Sequence, residues 1–179
     1  MLRATKNVAW ETHLADQDLR WLSQRIDLQS WYPMETYERM GLAIFEEIAR
    51  GDFQTVRQWG RRTIDELAEA EPELFSARDP RETFMRFQVL RQALFNFPAA
   101  EVIAIRDGKA ILEVRYGMSA RAEEAASWQT VGFLERLLEL SGAAGVEASF
   151  ESVAWQGAPA TRVIVTWTMP APEPEALDA

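Results

Sequence analysis

The chain is predicted to fold as an α+β domain, with N-terminal helices followed by a ββαββ unit whose hairpins join in a four-stranded, mostly antiparallel sheet. Three observations carry this. Apolar residues recur with a period of about 3.6 up to Pro98 and of about 2 after it. Asp107-Gly108 sits between two β-rich runs, a strong signal for a tight hairpin in which both turn residues take positive φ. The stretch "SWQTVGFLERLLELSGA", residues 127–143, is apolar on nearly every side, as a helix wedged between two layers must be.

Residues 1–12 are polar and carry no clear period. Leu19, Leu22 and Ile26 fall at helical spacing behind Asp16 or Asp18 as a cap. Pro33 suits an early helical position, and Met34, Tyr37, Leu42, Phe45 and Ile48 follow it as a core stripe. Gly51 ends that helix and Asp52 caps the next, whose stripe is Phe53, Val56, Gly60, Ile64 and Leu67. After a loop around Asp79-Pro80, a third long helix carries Phe84, Phe87, Leu90, Leu94 and Phe97, and Pro98 stops it. The first hairpin spans "AEVIAIRDGKAILEVRYG". The second joins "GVEASFESVAW" to "TRVIVTWTM" through "QGAPA", with Val163, Val165 and Trp167 alternating with Arg162, Ile164 and Thr166. Residues 1–169 read as one domain, and 170–179 as a disordered acidic tail.

The helix over 121–142 is expected to be the central spine. Trp128, Val131, Leu134 and Leu138 make one apolar stripe, and Phe133, Leu137 and Leu140 a second. Gly132 lies between them, at a cost of about 1 kcal/mol relative to alanine. Close approach of another backbone would explain it, since glycine has no Cβ. The alternative is a tolerated glycine without a packing role.

Composition narrows the function classes. A net charge of −9 disfavours nucleic acid, and the tightest basic cluster, Arg57, Arg61 and Arg62, reads as a solvated helix face. Zero cysteines exclude disulfides, thiolate nucleophiles and cysteine-based metal sites. Neither a signal peptide nor a membrane span is evident, so the expected location is the cytoplasm. The single histidine, His13, has no nucleophile at a recognisable spacing and reads as a surface or helix-start residue. Glu46-Glu47 and Glu123-Glu124 are adjacent on helices, so neither forms an acid/base dyad, and the second pair suits a helix N-terminus. No phosphate-loop, dinucleotide, zincin or nucleophile-elbow motif occurs. No cofactor is expected from these residues.

Seven Trp and nine Phe are many for 179 residues. Trp31, Tyr32, Trp59, Phe84, Phe87, Phe95, Phe97, Trp128 and Phe133 are candidates to line a pocket for a flat or acyl ligand, although aromatic residues on helical stripes are more often core. Trp31 and Tyr32, adjacent before Pro33, are hard to bury together and are interface candidates.

The element order over residues 31–169 has a "WGRR" helix, a ββ pair, a helix carrying "GFLERLLELSGA" and a final pair containing "WQG". It resembles the fold shared by 4-vinyl reductase domains, haem nitric-oxide-binding domains and TRAPP-type trafficking subunits. It is similar above all to paralogous myxobacterial proteins of unknown function and of this length. The resemblance implies a scaffold without the relatives' chemistry. His13 precedes the helices that match, so haem held by a proximal histidine is not expected, and an acylated or metal-binding cysteine is excluded. The leading expectation is a non-enzymatic regulatory or scaffold domain acting through protein contacts, as a homodimer. The alternative is a small-molecule sensor with an apolar pocket between helices and sheet.

Overall fold

The computed structural model describes residues 5, 8–25, 27, 30–94 and 96–171. Ile26, Phe95 and residues 172–179 of the expected tail lie outside the described residues, as does the Leu94 side chain. A 3₁₀ turn at Trp10–Thr12 precedes α1 (Asp16–Ser23), α2 (Met34–Glu47), α3 (Phe53–Ala70) and α4 (Pro80–Leu94). Then come β1 (Ala100–Arg106), β2 (Lys109–Val114), α5 (Ala120–Leu140), β3 (Ala144–Ser152) and β4 (Thr161–Thr168). The strands form one four-stranded antiparallel sheet in the order β1-β2-β4-β3.

Local chemistry explains most boundaries. Arg50 and Gly51 both take positive φ and end the α2 segment. The Asp52 carboxylate then accepts the amides of Gln54 and Thr55, capping α3. Pro80 opens α4, where its missing N–H is not needed, and Asp79 accepts the Glu82 amide. The inner sheet face alternates cleanly: Ala110, Leu112 and Val114 of β2 lie beside Val165, Val163 and Thr161 of β4, all buried.

Five sequence expectations are corrected here. Positive φ at the β1–β2 turn is confined to Gly108, so the hairpin forms without the paired positive φ expected of Asp107-Gly108. β3 ends at Ser152, and Trp155 sits in a 3₁₀ turn, Ala154–Gln156, where Gly157 with φ of 96° reverses the chain. α4 ends at Leu94, three residues short of Phe97 and before Pro98 can stop it, so Phe97 lies half-buried in the connection to β1. Tyr37 of α2 is 48% exposed, because the buried stripe runs through Thr36, Ala43 and Phe45 instead. Arg57 and Arg61 do not form a solvated face; both turn towards α5.

α5 is the spine. One side packs on β3 and β4, and the other on α2 and α3. Val131, Leu134, Leu137 and Leu138 are all fully buried. The glycine has a physical explanation. A Cβ added to Gly132 would lie 2.7 Å from the Arg57 carbonyl carbon, and one added to Gly60 would lie 2.9 Å from the Gln129 carbonyl carbon and from the Phe133 amide. The two helices cross backbone to backbone at a reciprocal glycine pair. Beside that crossing, Glu135 (2% exposed) accepts from Arg57 Nε at 3.0 Å, from Arg57 Nη2 and from Arg61 Nη1 at 3.4 Å. Arg61 Nη2 also reaches Glu139 at 2.6 Å, and Arg136 bridges Glu139 and Asp65.

α1 is pinned to α2 by Asp18, which is fully buried. Its carboxylate accepts from Arg39 Nε at 2.6 Å and Nη2 at 2.9 Å, from the Thr36 hydroxyl at 2.7 Å and from the Ala15 amide at 3.0 Å. The Arg39 hydrogen bonds, helped by Thr36 and Ala15 and opposed by burial, bring its pKa from the ordinary 3.8 to about 2. A depressed folded-state pKa stabilises above the unfolded value and loses that stabilisation as pH falls through the folded one. Asp18 therefore contributes up to about 2 kcal/mol at neutral pH, trimmed by solvent at the partly exposed Arg39. Urea melts between pH 6 and 2 will show wild type losing this margin below pH 4, while Asp18→Asn lacks it throughout.

Candidate functional site

Along its length the spine changes character. Its C-terminal half is leucine-rich, but its N-terminal half presents Ala122, Ala125 and Ala126. These small side chains leave space, and a cleft of about 730 Å³ opens between α2, α3 and α5. Its walls are mainly apolar: Met40, Ile44 and Phe45 from α2, Val56 and Trp59 from α3, and Met118 from the loop before α5. Glu38, Arg62, Glu66 and Gln129 supply its polar lining.

A second, inner chamber of about 180 Å³ adjoins it, and Tyr37, Thr63, Ala126 and Gln129 line both. An apolar cavity of about 150 Å³ is large enough for benzene. The inner chamber reaches α4 and β1 through Phe87, Arg91 and Ala100. Tyr116 and Thr130 form its hydroxyl pair, with oxygens 2.5 Å apart. Thr130 donates to the Ala126 carbonyl at 2.9 Å, so Tyr116 is the donor within the pair. Burial raises the Tyr116 pKa well above the ordinary phenol range, against the lowering effect of Thr130, so this hydroxyl stays protonated. Glu123 (4% exposed) accepts the amides of Tyr116 at 2.9 Å and Met118 at 3.1 Å, fixing the loop that forms one wall.

The aromatic candidates separate by position. Trp59 lines the outer chamber. Phe87 and Phe133 line the inner one, with ring centroids 4.9 Å apart. Phe84 is fully buried in the core beside Trp167, 6.3 Å away. Trp128 belongs to an aromatic row, Phe45–Phe53–Trp128–Phe150–Trp155, that runs from α2 across α5 to the turn after β3. The Arg121 guanidinium lies over the Phe45 and Phe53 rings at 4.7 and 5.0 Å. Trp31 is 58% exposed, outside both chambers. Tyr32 packs edge-on against Trp21 at 5.1 Å, and its hydroxyl accepts the Asp27 amide at 2.9 Å.

Sequence reasoning missed Met40, Ile44, Met118, Tyr116 and Arg91. The available signals were the alanine run in an otherwise bulky spine and an arginine four residues after Phe87 on the α4 core stripe. His13 contacts acids at the end of α2, with Nε2 2.9 Å from Glu47 and Nδ1 3.7 Å from Glu46. Among the described residues no three of His, Asp and Glu converge as a metal site.

No protein-family model and no curated protein matches the chain. Solved structures do match. An H-NOX protein from S. oneidensis in an Fe(II) ligation state superposes with a TM-score of 0.61, 13% identity, 90% of this chain and 84% of that one covered. A structure from work on haem distortion in the H-NOX family gives 0.59, 14% identity and coverage of 89% and 87%. An oxygen-binding H-NOX domain related to soluble guanylate cyclases gives 0.58, 15% identity and coverage of 89% and 87%. The fold is that of the H-NOX domains.

Those H-NOX structures involve haem, and the residues present here bear on whether this chain could hold it. Protein haem iron is held by imidazole, thiolate, phenolate, or methionine paired with histidine. Neither chamber is lined by histidine, the sequence has no cysteine, and burial raises the pKa of both lining phenols, Tyr37 and Tyr116, which disfavours phenolate. His13 is engaged by Glu47 outside both chambers. The H-NOX scaffold is present, but the lining does not fit a histidine-held haem. Hemin titration is therefore expected to give no histidine-ligated Soret spectrum, and Ala126→His, which places an imidazole in the shared wall, is the comparison.

Proposed function

We propose that this domain is a small-molecule sensor whose ligand is an apolar organic molecule held between α2, α3 and α5, and that it works without catalysis. The observation that carries the reading is the apolar cleft of about 730 Å³ with its adjoining inner chamber, at the junction of the N-terminal helices and the spine. Its size lies in the range of drug-sized ligand sites. The H-NOX neighbours support the sensor reading over the scaffold reading by analogy, since one of them is described as oxygen-binding. Among the described residues the buried acids are held in structural contacts, Glu123 by two amides, Glu135 by two arginines and Asp18 by Arg39, and of the two acids lining the cleft Glu38 accepts the Ser119 amide and Glu66 pairs with Arg62.

Thermal denaturation with a panel of apolar ligands tests the proposal. A binder present at about a hundred times its Kd stabilises by about 2.7 kcal/mol, a shift of several degrees. Ala126→Phe, which fills the wall shared by both chambers, is expected to remove the shift while keeping the fold. A panel that shifts neither protein counts against the proposal.

The protein-contact reading, including self-association as a homodimer, has its own observation. Trp31 is 58% exposed, and Met85 and Val89, one turn apart on α4, are 56% and 70% exposed. Light scattering after size exclusion checks it, with Trp31→Ser and Val89→Glu expected to shift any dimer to monomer.

A further inference from the structure

Arg91 of α4 is 8% exposed and lines the inner chamber. Its Nη1 donates to the Phe97 carbonyl at 3.3 Å, and its Nε has no hydrogen-bond partner. Among the described residues no carboxylate lies within ion-pair distance of it, whereas Arg57, Arg61, Arg62, Arg86 and Arg136 all have one. No Asp or Glu lines the inner chamber. A guanidinium out of water without a counter-ion is expensive unless something completes it.

We propose that Arg91 is the anion-recognition residue of the sensor site, and that the ligand class is an apolar monocarboxylate. Its carboxylate would lie against Arg91 in the inner chamber, with its hydrocarbon body passing Ala126 into the outer cleft. This deepens the sensor reading and rests on it. Three features support the assignment. The orphaned Nε belongs to a fork that suits two carboxylate oxygens. Phe87 and Phe133 flank the chamber with apolar surface, which lowers the local dielectric and strengthens an ion pair there. The Tyr116–Thr130 pair has its hydrogens committed, Tyr116 to Thr130 and Thr130 to Ala126, so the charge of the ligand falls to Arg91.

Isothermal titration of the full chain with decanoate and with decan-1-ol, two probes of one length that differ in headgroup charge, decides the matter without a variant. The expected result is decanoate binding at least about tenfold tighter than the alcohol. In Arg91→Met that preference is expected to vanish, and in Arg91→Lys to return in part. Circular dichroism confirms folding of each variant. Equal binding of both probes to wild type, or an unchanged preference in folded Arg91→Met, overturns the assignment and leaves the sensor site standing. If neither probe binds, the assignment falls, and the sensor reading falls with it only if the wider apolar panel also fails.

Discussion

Gly132→Ala is expected to destabilise the protein by about 3 kcal/mol, the upper part of the range for overpacking a close-packed contact. The direction is the informative part. In an exposed helix interior the same change stabilises by up to about 1 kcal/mol. At Gly132 the new methyl carbon would meet the Arg57 carbonyl carbon at 2.7 Å, and that backbone is held in the middle of α3. Gly60→Ala meets the α5 backbone in the same way and is expected to cost as much. Gly41 in α2 is exposed and has nothing within 4 Å of the equivalent position, so Gly41→Ala is expected to stabilise. Urea denaturation of the three variants checks the set. Similar small effects at all three positions would remove the close crossing from the account.

Removing the charge beside that crossing is expected to be as damaging. Glu135→Ala leaves the Arg57 guanidinium, 28% exposed, without its buried carboxylate, at a cost of up to about 3 kcal/mol. Arg61 retains Glu139, so Arg57 bears most of the loss. A double-mutant cycle with Arg57→Ala is expected to give a coupling of about 1.5–3 kcal/mol. Because Glu135 is 2% exposed, that coupling is expected to survive molar salt, whereas the exposed Arg62–Glu66 pair is expected to lose its small contribution. The seam also has a functional consequence. It holds α3 against the C-terminal half of α5, so the cleft opens over the N-terminal half, beside α2.

The order of elements, the α3 limits and the alternation along β4 were legible in sequence, because each rests on local period, capping or turn residues. Gly132 was legible as a cost in search of a reason. Its partner Gly60 was read only as a stripe position, since nothing local says which glycine a second helix will meet. The arginine cluster was misread for the same reason. Arg57 and Arg61 have Asp65 and Glu66 nearby in sequence, but their acids, Glu135 and Glu139, are more than 70 positions away. The chambers were the least legible part. Aromatic residues signal bulk, whereas a cavity comes from where bulk is missing. Of the candidates carried from the sequence, Trp59, Phe87 and Phe133 line the chambers, Phe84 fills the core, and Trp128 is half-buried in the aromatic row. Ala122, Ala125 and Ala126 create the space, and an alanine run reads in sequence as ordinary helix.

The account depends on the cleft holding a molecule, and native mass spectrometry of the freshly purified chain measures that directly. An added mass that is present on wild type, released on denaturation and missing from folded Ala126→Phe is the predicted result. A bare polypeptide mass in wild type, with the apolar panel giving no adduct either, would contradict it.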